Sequence, residues 1–199
     1  MRDLFTRFWH GVQGLAAVEF AFVLPIILSM LLGLVELSHA SGVRTQVINM
    51  ASTASDLIAQ KSTATGGDID TSFAATKAIL FPNDTTVATV TITSVIDAGT
   101  GKTPVIAWSC SPPGTTPFAK GANPHPSLPP SFTAKDGPLE PGKGGSVIWS
   151  RVTYQYSSFL TYFLPATSNW TNDFYAKPRR VLQVPDNSSP AVTAGTCKF

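Results

Sequence analysis

From Leu15 to Val35 the chain reads LAAVEFAFVLPIILSMLLGLV, 21 residues carrying a single charge, Glu19. As a helix this run rises about 31 Å, the depth of a bilayer's hydrocarbon layer. Its all-round apolar character suits lipid contact, so its placement decides which solvent every other part of the chain meets. The flanks are asymmetric: Arg2 and Arg7 stand against Asp3 before it, while Glu36 follows it and Arg44 comes some way later. That bias favours a cytoplasmic N-terminus, with everything after about Glu36 outside the inner membrane.

A secretory signal peptide is the competing account, since Ser38-His39-Ala40 supplies small residues at the positions a signal peptidase needs. The apolar run is too long for it, because signal peptides use about 7 to 15 such residues. A plain permanent anchor fits the length but leaves Glu19 unexplained. An acid at mid-span costs about 2.5 kcal/mol or more, although Glu19 lies near the edge, where its side chain can reach towards the interface.

The spacing around that acid supplies a third account. Gly14 precedes Leu15, Glu19 stands five places after the glycine, and Phe20 follows before the apolar run continues. This resembles the prepilin peptidase recognition site of type IV pilin-like proteins. The short charged leader, the AVEFAFVLP run from Ala17 to Pro25 and the small residues after it look like the TadE/TadG-like minor pseudopilins of the tight-adherence (Tad, or Flp) pilus system. The likeness covers Gly14 to Ala40, with a looser echo at Tyr175-Ala176-Lys177-Pro178-Arg179. It implies cleavage between Gly14 and Leu15, a role for Glu19 and Phe20 in subunit assembly, and a pilin-like fold. It also implies partners: a prepilin peptidase, other Tad pilus subunits, the inner-membrane assembly platform and the lipid bilayer. Function would then be the building of an adhesive pilus, with the protein either staying in the membrane or entering the fibre. The electrostatic logic is that a newly cut N-terminus is cationic, so one subunit's Glu19 can neutralise a neighbour's terminus inside an apolar bundle.

Two other residues of the span have a bland and a functional account. Pro25 bends a membrane helix, and Gly33 permits close helix approach but has no glycine four places away. In the leader, Phe5, Phe8 and Trp9 suit an aromatic belt at the cytoplasmic face.

Past the membrane, Val43, Val47, Met50, Ala51, Ala54, Leu57 and Ile58 recur at three- and four-residue steps. Arg44, Gln46, Asn49, Ser52, Ser55, Asp56 and Gln60 fall elsewhere, so the helix continues as an amphipathic stem. The Gly66-Gly67 pair is expected to end it, with Asp70 or Thr71 capping a shorter helix through Leu80 before Pro82. From Thr85 the period becomes two. The runs Thr85 to Ile96, Thr103 to Cys110 and Ser146 to Phe159 read as antiparallel strands. In the last, Ile148, Val152, Tyr154 and Tyr156 share one side, and Trp149, Arg151, Thr153 and Gln155 the other. A fourth strand is expected near Asp173 to Val184, kept at an edge by Pro178. The fold class is therefore α+β: a long transmembrane helix running into an amphipathic helix packed on a small antiparallel sheet. The expected organisation is leader 1–14, span 15–35, stem 36–80 and β-rich head 81–199.

Residues 111–145 interrupt that head with nine Pro and six Gly in 35 positions. Such a composition is expected to bury little and to form a long surface loop, either simple decoration or a tip that contacts other subunits or a surface. The cluster Phe159, Leu160, Tyr162, Phe163 and Leu164 packs on the long helix or presents an interface.

Cys110 and Cys197 are the only cysteines, both on the expected extracytoplasmic side, where an oxidising compartment favours a disulfide; two separate thiols are the alternative. Two cysteines with no histidine cluster supply too few ligands for a metal. His10, His39 and His125 are far apart, and no nucleotide loop, GxSxG, HExxH or CxxC pattern occurs. The Gly142-Lys143-Gly144-Gly145-Ser146 stretch lacks the strand and spacing of a phosphate loop and reads as a turn. No catalytic residues, cofactor or metal are expected. Lys and Arg are scattered, adjacent only at Arg179-Arg180, so nucleic acid is not an expected partner either. Asn169-Trp170-Thr171 and Asn187-Ser188-Ser189 match glycosylation sequons; if the host is bacterial, as the resemblance implies, they are coincidental. The rival accounts are a single-pass anchored protein whose head binds a ligand unrelated to pili, and a secreted enzyme.

Overall fold

The computed structural model describes residues 15–124, 128–158, 167–187 and 195–198. The leader with Gly14, the histidines His10 and His125, the aromatic cluster from Phe159 to Leu164 and the Ser188-Ser189 half of one sequon lie outside them. The fold is α+β. Two compact units partition the chain, one containing the residues up to Ser41 with 158–166 and the other 42–157 with 167–199.

Helix α1 runs from Leu15 to Ala59, 45 residues with Pro25 inside. From Ala16 to Leu31 the side chains are exposed on every side of the helix, including Ile26, Ile27 and Leu28. From Gly42 onward the pattern changes. Val43, Val47, Met50, Ala51, Ala54 and Ile58 are buried against the second unit's core, as their 3.6-residue spacing requires. Ser55 departs from the expected polar side. It is buried, and its Oγ donates to the Ala51 carbonyl at 3.0 Å, which satisfies the hydroxyl without leaving the helix. Ser150 Oγ on the sheet donates to the same carbonyl.

The glycine pair does not end α1. The helix stops at Ala59, whose carbonyl accepts the Arg179 backbone N–H at 2.9 Å. Gly66-Gly67 instead opens the second helix, α2 (Gly66–Ile79), so the expected caps at Asp70 and Thr71 are replaced by Thr65. Thr65 Oγ1 accepts from the Asp68 N–H at 3.2 Å, and the Asp68 carboxylate accepts from the Thr65 N–H at 3.1 Å. This reciprocal capping box uses Asp in place of the usual Glu, and it answers two orphan donors of the first turn.

The described residues form seven strands, in chain order β1 (Ala64–Thr65), β2 (Ala88–Ile96), β3 (Val105–Ser111), β4 (Ser146–Ser157), β5 (Thr167–Ala176), β6 (Asp186–Asn187) and β7 (Thr196–Lys198). β1 and β6 form a short parallel pair, and the other five form one antiparallel sheet in the order β5-β4-β2-β3-β7. The fourth strand lies earlier than expected, at 167–176, and Pro178 falls just past its end. Its sequence TSNWTNDFYA has little β-branched alternation, so pairing along the whole of β4 decides its position. The sheet face that carries Ile92, Ile148 and Val152 also carries Ser150, whose bond to the Ala51 carbonyl sets that face against α1.

The other face corrects the reading of the Pro/Gly-rich insert. Leu139 and Trp149 are buried with Val95 and Val147, and Phe118, Leu128, Phe132 and Tyr175 pack around them. Phe118 stacks on Trp149 at 4.9 Å, and Phe132 meets the edge of Tyr175 at 5.2 Å. The insert therefore builds a second hydrophobic core. It can do so with only one short 3-10 turn among its described residues, Pro130–Phe132, because its prolines have no N–H to satisfy and its turns close on themselves, as in Leu139 N–H to the Phe132 carbonyl at 2.8 Å. Asp97, at the end of β2, fastens the insert's far end. Its carboxylate accepts N–H groups from Gly99 at 2.9 Å, Gly142 at 2.7 Å and Gly144 at 3.0 Å. Those bonds, the one from Gly99 first, hold its carboxyl below the ordinary aspartate range. The glycine-lysine stretch is thus a turn whose N–H groups are already occupied by the chain's own anion.

Candidate assembly helix

Leu15 is the first residue of α1, and Glu19 stands four places on, one turn up the helix. The first turn holds no acidic residue, so Glu19 is the first anion a group at the helix start meets. Both Glu19 and Phe20 are exposed, Phe20 at 60%. The neighbouring helix N-terminus carries partial positive charge from four N–H groups without intrahelical partners, which favours an anion nearby. Gly14, the other half of the expected cut, lies outside the described residues.

Around this acid the helix offers only apolar surface. Its best window has a mean hydropathy of 2.4 and none of that window is buried, so it is one helix long and apolar enough to cross a membrane. It is compatible with a single-pass anchor. Pro25 lacks the N–H that would bond the Ala21 carbonyl, and Ser29 Oγ spends its donor on the Ile26 carbonyl at 2.8 Å. A Cβ placed on Gly33 meets nothing within 4 Å. Proline, serine and glycine thus follow one another at four-residue steps, where a second helix can come close.

Sequence reasoning treated Glu36 only as the residue that bounds the span. The structure buries it to 1% exposure, between Val35 and Leu37, which are 50% and 66% exposed. Glu36 stands seven residues before Val43, in line with the buried stripe, but an acid at that position gives no apolar signal by which the stripe could be extended to it. The two cysteines do come together: Cys110 of β3 and Cys197 of β7 are register partners joined by a disulfide, with Cα atoms 4.1 Å apart.

Residues 14–56 match the family model described as TadE-like protein. The match begins at the glycine before α1 and ends three residues short of the helix's last residue, so the β-rich part lies outside it. No curated protein and no solved structure matches the chain.

Proposed function

We propose that this chain, TadE-like over residues 14–56, is a non-enzymatic minor pseudopilin that takes part in assembling Tad/Flp-type adhesive pili. In this reading α1 anchors it in the inner membrane with the N-terminus in the cytoplasm and the β-rich head outside. A prepilin peptidase cuts after Gly14, and the mature chain associates with other pilus subunits and the assembly platform. The observation that carries the reading is the coincidence of three boundaries: the family match starts at Gly14, α1 starts at Leu15, and the one acid of the span stands a turn later.

The proposed mechanism is charge pairing. Cleavage creates an α-amino group with a pKa near 8, cationic at neutral pH. A carboxylate about 4 Å away gains about 4 kcal/mol at an effective dielectric of 20, which offsets the roughly 2.5 kcal/mol or more of holding an acid in the bilayer. Each group gains from the other, so the pair favours one register of adjacent helices. Mass spectrometry of protein from cells with active peptidase is expected to find Leu15 as the first residue; a chain starting at Met1 or Ser41 rejects the processing step. Glu19→Gln is expected to insert normally and to reduce piliation. If piliation is unchanged, the carboxylate has no such role, and a retained leader as well would favour an anchored binding protein unrelated to pili.

A further inference from the structure

The two edges of the five-stranded sheet are treated differently. On the β3 side, β7 covers Ser109 to Ser111, and the insert closes the rest: the Ile106 N–H donates to the Ala122 carbonyl at 3.0 Å and the Gly121 N–H to the Ile106 carbonyl at 2.8 Å. On the other side, β5 pairs with β4 along ten residues and with no other described strand. Such an edge is ordinarily blunted by charge, proline or a bulge. β5 has one charge, Asp173, and it is turned to account internally, since Arg151 Nε and Nη2 hold its two oxygens at 2.8 and 2.9 Å.

The end of this open edge leads into a depression. A groove of about 650 Å³ lies between the last turns of α1 and the end of β5, with Ser52, Thr53 and the 39% exposed Phe174 in its walls. It shares Lys177, Pro178 and Arg179 with a second cleft of about 390 Å³, to which Lys143 and Arg180 also contribute. Among the described residues no carboxylate lines that second cleft. Arg179 is paired with Asp56, whereas Lys143, Lys177 and Arg180 are exposed and have no anionic partner among the described residues. Like charges gathered this way repel one another, and an anion entering the cleft relieves that repulsion.

From these two features we propose that β5 and the basic cleft together receive an extended acidic segment of a partner polypeptide. The segment adds to the sheet as a further strand, main chain to main chain, with its carboxylates in the cleft. Every ladder of this sheet is antiparallel. An incoming strand in the same sense lays its N-terminal end at Ala176 and Lys177, so the acidic residues belong at its N-terminal end.

The test uses full-length protein in phosphatidylcholine nanodiscs and a fluorescent peptide of three acidic residues followed by alternating threonine and valine, with affinity read by anisotropy. Binding is expected to weaken when the residue order is reversed and at high salt. It is expected to fall at least tenfold in the double variant Lys177→Glu, Arg180→Glu, whose unchanged melting temperature shows it folded. Proline at alternate peptide positions is expected to abolish binding in one of the two possible phases, and hydrogen exchange to slow within 167–176 alone. The proposal is overturned if the double variant binds as well as the parent, or if protection falls on another element. It is equally overturned if sedimentation shows β5 already covered by a second copy, or if anionic vesicles bind the cleft and the peptide does not.

Discussion

Asp97 shows how one residue decides whether a loop becomes structure. Its carboxylate gathers N–H groups from two turns, 97–99 and 142–144, that are far apart in the chain. Asp97→Asn would turn an amide donor towards those donors, and a loss on the order of 2 kcal/mol is expected from thermal or urea unfolding. The pH dependence follows in sign. Asp97 has a folded pKa below the ordinary 3.8. So does Asp68, where burial alone would raise it but Lys61 and the Thr65 cap prevail. Depressed carboxyls contribute stability that is full above about pH 4 and lost as pH falls through their folded values. Melting temperature should therefore be flat from neutrality to about pH 5 and drop below 4, less steeply in the Asp97→Asn variant. The turn at Gly142 to Ser146 was legible as a turn. Its anion was not, because a contact spanning 45 residues has no local sequence signature.

Among the elements, those whose apolar residues recur at a regular interval were readable, even where, as in β2 and β4, both faces are buried. The α1 stripe and strands β2 and β4 put apolar side chains at 3.6- or 2-residue intervals, and the structure uses them so. Two elements escaped this logic. β5 is polar because it is an edge, and its strand state comes from its neighbour. The insert was misjudged because composition counts residues rather than what they cover: Phe118, Leu128, Phe132 and Leu139 are few but converge on Trp149. Leu139 is the most deeply buried of these, so Leu139→Ala is expected to destabilise by about 2–5 kcal/mol. Limited proteolysis should then cut first within 112–145. If the variant resists protease as the parent does, the insert is not held by this core.

At the scale of the molecule, the cysteines bring sequence and compartment together. The disulfide joins residues 87 apart and fixes the C-terminal strand against β3, a closure that in the chain-entropy model contributes about 4 kcal/mol. Cystine of this kind persists in oxidising compartments and is reduced in the cytosol, so its state reports which side of the membrane the β-rich part occupies. Bacteria expressing the full chain, quenched in acid and denatured, are expected to yield protein that takes up no maleimide-polyethylene glycol before reduction and two equivalents after it. Replacing Cys197 with Ser should leave Cys110 reactive only on unfolding, since its side chain is fully buried. Protein that labels twice without reduction would place the β-rich part in a reducing compartment. That outcome would remove the exported head from the proposed topology, and with it the exposure of β5 to any partner outside the cell membrane.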